Sequence, residues 1–279
     1  MEFMMDLMHY EFLQKALVTS ILVGIICGII GSFIIMRGMA LMGDAISHAV
    51  LPGVAIAYML GINYFYGAVA FGILSAIGIG FVSQNSRIKN DSSIGIVFSA
   101  FFALGIILIV KAQTATDLTQ ILFGNVLSVR TSDMIMTLIT GIIIVVVTLF
   151  YKELLVSTFD ETMAATYGLP TRFIHYVLMV LLTMATVASL QTVGVVLVVA
   201  MLITPAATAY LLTNRFWLMI WLASTIGALS SIIGLYISFK QNLPSGAVIV
   251  LVTTTIFILT FIFSPKQGLL WRLTKTKAK

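Results

Sequence analysis

The sequence predicts an all-α, polytopic integral membrane protein of about nine transmembrane helices, with eight compatible with the same pattern. The predicted orientation has the N-terminus outside and the C-terminus in the cytoplasm. Composition, apolar runs and the placement of basic residues predict it. Of 279 residues, 60% are hydrophobic and 9% are charged, and mean hydropathy is +1.13. A soluble domain carries roughly 25% charged residues, so this chain cannot coat a water-facing surface and the bilayer is its fitting solvent.

Nine apolar runs have about the length of a span: 16–36, 45–61, 64–83, 93–110, 134–151, 173–190, 193–212, 216–239 and 245–263, against a need of about 20 residues each. Turn formers separate them, among them Gln84-Asn-Ser, Gln191-Thr-Val-Gly194 and Asn242-Leu-Pro244. An outside N-terminus places Arg37, Arg87, Lys89, Lys152, Arg172, Arg215, Lys266, Arg272, Lys275, Lys277 and Lys279 on the cytoplasmic side. Lys15, Lys111, Arg130 and Lys240 stay outside. This asymmetry is the one the positive-inside rule expects, although the tail 265–279 carries much of it. The first residues hold acids and neither Lys nor Arg, unlike the start of a cleavable signal, and are expected to be mature chain.

One transmembrane domain over 1–279 accounts for the pattern. It has a cytoplasmic segment at about 152–172, a long outer segment before Asp133 and the basic tail 265–279. The net charge of +5 lies in short segments between apolar runs, so it predicts orientation in lipid and no nucleic-acid partner. The single cysteine, Cys27, excludes an internal disulfide framework and is expected to be a small packing residue. Gly24, Gly28 and Gly31 are expected to let helices approach closely in lipid. No GxxxxGK[ST] occurs, so ATP could be bound only by another polypeptide. No coherent nucleophile or paired-carboxylate set points to an enzyme.

Three motifs could carry function. The first is Arg37-Gly-Met-Ala-Leu-Met-Gly-Asp44-Ala-Ile-Ser-His48-Ala-Val-Leu-Pro52-Gly53. Asp44 and His48 are four apart and share a face if helical. A carboxylate with a neutral imidazole suits a divalent first-row metal, and ionisable groups among apolar runs default to function. The structural alternative makes Asp44 a helix cap and His48 a satisfied core residue. His9 and His175 are expected to be surface or structural residues.

The second motif is Ser157-Thr-Phe-Asp160-Glu161-Thr-Met-Ala164-Ala-Thr-Tyr-Gly168-Leu-Pro170. Its acids suit a helix start, and Gly168 with Pro170 stops the helix. Such a helix suits docking onto a partner, or merely spaces two spans. In the third motif, Val199-Ala-Met-Leu-Ile-Thr204-Pro205-Ala-Ala-Thr208-Ala, Pro205 interrupts an apolar span. With Pro52 and Thr204 it is a candidate for a kink beside a pathway, or for helix packing alone.

Taken together, these three motifs resemble the permease subunits of bacterial manganese and zinc ABC importers. The resemblance covers nearly the whole chain, and Leu122-Phe-Gly-Asn-Val-Leu looks most like the manganese-type members from Gram-positive bacteria. It implies a permease homodimer, two cytoplasmic ATP-binding subunits and an extracytoplasmic metal-binding lipoprotein, with no permanently bound cofactor. It further implies that Asp44 and His48 coordinate the transported Mn²⁺ (or Zn²⁺), and that Asp160, Glu161, Ala164 and Gly168 couple to the ATPase. Mn²⁺ is the expected cargo, because one histidine and no second candidate nearby leans away from zinc. A proton-coupled secondary transporter with Asp44 and His48 as relay is the rival from another class, and a membrane metalloenzyme a third.

Overall fold

A computed structural model of the chain describes residues 9–112, 126 and 129–264. Most of the predicted outer segment, the Leu122–Leu127 stretch apart from Val126, and the tail 265–279 lie outside the described residues. Twelve helices are described and no strand among them: α1 (Glu11–Met36), α2 (Ala40–Ala49), α3 (Leu51–Leu60), α4 (Tyr64–Asn85), α5 (Asn90–Lys111), α6 (Thr131–Thr148), α7 (Tyr151–Phe159), α8 (Glu161–Thr166), α9 (Thr171–Val193), α10 (Val195–Leu212), α11 (Phe216–Gln241) and α12 (Ser245–Phe263).

Each of the nine apolar runs falls on helix. Among the described residues, eight segments are long and apolar enough to cross a membrane, α2 and α3 together forming one of them. The remaining run, 193–212 on α10, gives a shorter apolar helix, Leu197–Leu212. Only Gly194 separates α9 from α10, and this junction is buried, with Thr192 and Val193 each 1% exposed. The expected break between these two runs is there, and irregular backbone amid lipid is tolerated because protein covers it. Cys27 Sγ lies 3.5 Å from Ser189 Oγ, so the last part of α9 packs on the middle of α1.

Small residues set the closest approaches. A Cβ built on Gly24 would fall 2.6 Å from the Gly227 carbonyl carbon, and one on Gly28 would fall 2.6 Å from the Ser224 nitrogen. These contacts seat α1 on α11 with almost no side chain between them. A Cβ on Gly31 would overlap the Leu202 carbonyl oxygen, so α10 is pressed against α1 as well. Gly53 of α3 and Gly67 of α4 face each other the same way. In lipid, where apolar surface gains nothing by leaving water, such backbone approach supplies the packing energy.

Aromatic residues gather at both ends of the bundle. Tyr10, Tyr58, Tyr64 and Tyr66 are exposed at one end, and Trp217 and Trp221 at the other. Amphipathic rings prefer the two membrane–water boundaries.

Candidate metal-conducting site and coupling segment

The turn between α1 and α2 sets up the first motif. Met39 N–H donates to Ile34 O (3.0 Å) and Gly38 N–H to Ile35 O (3.1 Å), which closes a Schellman turn. Gly38 takes φ +66°, a left-handed value that a glycine adopts without strain. The chain reverses there and α2 begins at Ala40.

Asp44 therefore lies inside α2, whose N-cap is Met39. The capping alternative for Asp44 falls, because the helix starts a full turn earlier than the apolar run suggests. Asp44 and His48 do share a face: Oδ1 of Asp44 lies 3.7 Å from Nε2 of His48. That separation is too long for a hydrogen bond, so both atoms stay open to a third party. Two ligand atoms each about 2.1 Å from an ion lie within about 4.2 Å of each other, so the spacing fits a shared cation.

His48 is not a satisfied core residue either. Its Nδ1 is buried without a hydrogen-bond partner, and its ring sits edge-on to Phe98 and Phe102 of α5, at centroid distances of 5.7 and 5.6 Å. His48 lies eight residues past Ala40, and Phe98 eight past Asn90. At 1.5 Å per residue both sit about 12 Å from their end of the bundle, against an apolar thickness of about 30 Å. The pair thus runs from near that end at Asp44 toward the middle at His48. Ser47 turns away, donating to Gly43 O (3.0 Å) and Asp44 O (2.8 Å).

Pro52 stands in the first turn of α3, just past the Val50 break. With no N–H, it cannot donate to the His48 carbonyl four residues back. Gly105 of α5 comes close to this break; a Cβ there would fall 2.8 Å from Leu51 Cβ. Pro205 is enclosed in a continuous α10 and withholds the same donation from the Met201 carbonyl. Thr208 Oγ1 donates to Thr204 O (2.7 Å) beside it.

The second motif forms the expected capped helix. Asp160 is the N-cap of α8, and its Oδ1 accepts from Met163 N–H (2.9 Å) and Thr162 Oγ1 (2.8 Å). The Met163 amide, first, and the Thr162 hydroxyl hold the Asp160 carboxyl below the usual carboxylate range. Leu169 N–H reaches back to Ala164 O (3.1 Å) around Gly168, whose φ is +78°. Ala164 is buried and seats α8 on its neighbours, while Glu161, Met163 and Tyr167 are exposed. The cap's contribution to α8 is complete at neutral pH. It is lost only as pH falls through the lowered carboxylate value, because protonation removes the acceptor for Met163.

Sequence reasoning placed Arg37 only as a basic loop residue. Its side chain is 6% exposed, and its Nη2 donates to both the carbonyl and the hydroxyl of Ser157, at 3.0 and 2.8 Å. Nη1 lies 3.0 Å from His175 Nδ1 and 3.9 Å from Glu161 Oε1. A guanidinium only donates, so His175 accepts at Nδ1 and carries its proton on Nε2. Burial lowers the Arg37 pKa from its ordinary value, and Glu161 opposes that shift. His175 is structural, as expected, but as a partner of Arg37 rather than as a surface residue. Phe98 and Phe102 were missed altogether, since two phenylalanines in an apolar run announce no site.

A closely packed bundle of spanning helices, with an ionisable pair on one face of α2 and a capped helix projecting at one end, has the architecture of a transporter's membrane permease. The family model for the ABC 3 transport family matches residues 9–264. The chain is 68% identical over 272 residues to the manganese transport system membrane protein MntC of Listeria monocytogenes, covering 97% of each. It is 51% identical over 267 residues to the manganese import system permease protein ScaB of Streptococcus parasanguinis, covering 95% of each. Among solved structures, PsaBC from Streptococcus pneumoniae in complex with Fab superposes with a TM-score of 0.88 at 51% identity over 99% of both chains. This chain belongs to the ABC 3 transport family. It is a multi-pass permease of a bacterial membrane import system, and ATP hydrolysis is the work of a separate subunit.

Proposed function

We propose that this permease imports Mn²⁺, and that Asp44 and His48 supply one carboxylate and one imidazole to the ion in transit. The observation that carries the site assignment is the open 3.7 Å spacing between Asp44 Oδ1 and His48 Nε2. The identity of the metal is supported by the manganese names of relatives at 51–68% identity. Zn²⁺ is the nearest alternative cargo. The proton-coupled secondary transporter gives way to membership of an ABC family.

Among the described residues no group of three or more His, Cys, Asp or Glu side chains could hold a metal. One chain thus offers two ligands where a hard divalent ion prefers about six. A homodimer that brings two α2 helices to a common axis would offer four, with water or freed carbonyls completing the shell. Asp44, half-exposed in the single chain, is available to such an axis.

An outside N-terminus places α7, α8 and the Arg37 turn on the cytoplasmic side, where two ATP-binding subunits would meet α8. Glu161, Met163 and Tyr167 are its contact face, Asp160 and Gly168 its caps and Ala164 its foot. An extracytoplasmic metal-binding lipoprotein would deliver the ion at the opposite end. Pro52, Thr204 and Pro205 belong to the pathway wall in this arrangement.

Elemental analysis tests the cargo. In metal-limited medium, a deletion strain should lose cellular manganese and regain it with the wild-type permease. Zinc falling in its place would replace the cargo, and no change in either metal would overturn the importer assignment. For the contact face, Glu161→Lys should lower transport-coupled ATP hydrolysis about tenfold, a typical size for coupling between sites. Unchanged hydrolysis would make α8 a spacer.

A further inference from the structure

The metal pair and the capped helix are on different segments, and something must connect them if ATP hydrolysis is to move the ion. Arg37 is the residue that touches both sides. It follows α1 directly and precedes, across the Gly38 turn, the helix that carries Asp44 and His48. Its guanidinium binds Ser157 of α7 twice and His175 of α9 once. Glu161, the first residue of α8, stands 3.9 Å away. The three contacts to Ser157 and His175 are short, and the Arg37 side chain that makes them is enclosed. The Glu161 contact is long, and that side chain is 66% exposed.

We propose that Arg37 is a positioning residue for transport: a buried strut that transmits displacement of α7 and α8 to the start of α2, and so to the metal pair. This rests on the functional reading of Asp44–His48 and of α8 given above. Beside the strut lies a cavity of about 590 Å³, lined among others by Met39, Gln84, Asn90, Thr158 and Glu161. It separates the α1–α2 turn, α7 and α8 from the facing ends of α4 and α5, so the bonded unit has room to shift as one against that pair. A docking subunit can draw Glu161 off without touching the enclosed bonds to Ser157 and His175, so α7, α9 and the α1–α2 turn then move together. The planar fork matters here, because an ammonium at the same place is a compact point charge that cannot address three partners in fixed directions.

Arg37→Lys tests this in the whole transporter, with its ATP-binding subunits, reconstituted into vesicles. Three quantities are read: Mn²⁺ bound by the permease, ATP hydrolysed and Mn²⁺ taken up per ATP. The expected result is about a tenfold fall in Mn²⁺ per ATP, with Mn²⁺ binding retained, a size typical of coupling between sites. Ser157→Ala, which removes one of the acceptors and leaves the backbone carbonyl, should move the same ratio in the same direction by less, and it keeps the test open if the lysine variant folds poorly. A wild-type ratio in both variants overturns the strut, and so does a parallel fall of hydrolysis and uptake that leaves the ratio unchanged, since that is loss of folded protein. Asp44→Ala is run alongside. If it transports normally, the reading of the metal pair has failed; if it is inactive while Arg37→Lys keeps the wild-type ratio, only the strut has.

Discussion

Asp44→Ala and His48→Ala each bring metal uptake to background while the permease still reaches the membrane in normal amount. The expected loss is more than about a hundredfold, because even groups that merely orient a metal ligand cost 10–100-fold when removed. Folding should be spared for different reasons in the two cases. Asp44 is half-exposed and caps no helix, so its truncation should change stability by no more than about 0.5 kcal/mol. Removing the His48 ring costs more, since it packs edge-on to Phe98 and Phe102, and such pairs contribute roughly 0.5–1.5 kcal/mol each. That loss is partly offset, because the same substitution removes the buried, unpartnered Nδ1. Asp44→Asn keeps shape and loses charge, and should fail as completely as alanine if the carboxylate faces a cation. Uptake of radioactive manganese by cells, normalised to permease in isolated membranes, checks all three. Wild-type uptake in either alanine variant removes the pair from the pathway.

Much of the fold was legible because lipid forces it: with no water to satisfy backbone groups, an apolar run of about 20 residues has few options besides a helix. The exceptions were the places where local chemistry outranked hydropathy. Residues 40–44 end in an acid, which held the apolar run back to residue 45, yet they are helix, since Gly38 turns the chain straight after α1 and lets α2 start at once. That shift moved Asp44 from a cap position into the helix. The break at Gly194 was legible as a turn, but its burial was not, because neither a lone glycine nor its neighbours reveal what covers them.

That Asp44 and His48 share a helix face was legible from their spacing of four, and their 3.7 Å proximity follows from it; their proposed role with metal came from the family resemblance rather than from the spacing. Helix α8 was legible from its acids, Gly168 and Pro170. Arg37 was not, for a reason that generalises: its partners Ser157, Glu161 and His175 lie 120 to 138 residues away in sequence. A basic residue at the end of an apolar run reads first as a topology signal. Only the fold shows that it is spent on an internal network. Phe98 and Phe102 were hidden by their own abundance, being two of 18 phenylalanines in the chain.

Gly28→Leu should be the most damaging single change to the bundle itself. The atoms a Cβ would meet there are Ser224 N at 2.6 Å and Ala223 C at 2.7 Å, all backbone, so no side chain can swing aside. The two helices must separate. Overpacking of ordinary cores costs about 1–3 kcal/mol, and a backbone clash repeated at Gly24 and Gly227 leaves no slack to relax into, so about 3 kcal/mol or more is expected. Because α1 also carries Arg37 at its end and presses Gly31 onto Leu202 of α10, tilting it disturbs α2, which carries Asp44 and His48, as well. The contrast is Gly95 of α5, where a Cβ meets nothing within 4 Å. There Gly95→Ala should leave the protein unchanged or stabilise it by about 0.5–1 kcal/mol, by restricting the unfolded chain. Thermal unfolding of the detergent-solubilised permease, followed by the fraction remaining monodisperse, separates the two. A Gly28→Leu protein that melts with the wild type would mean that α1 and α11 are not in backbone contact.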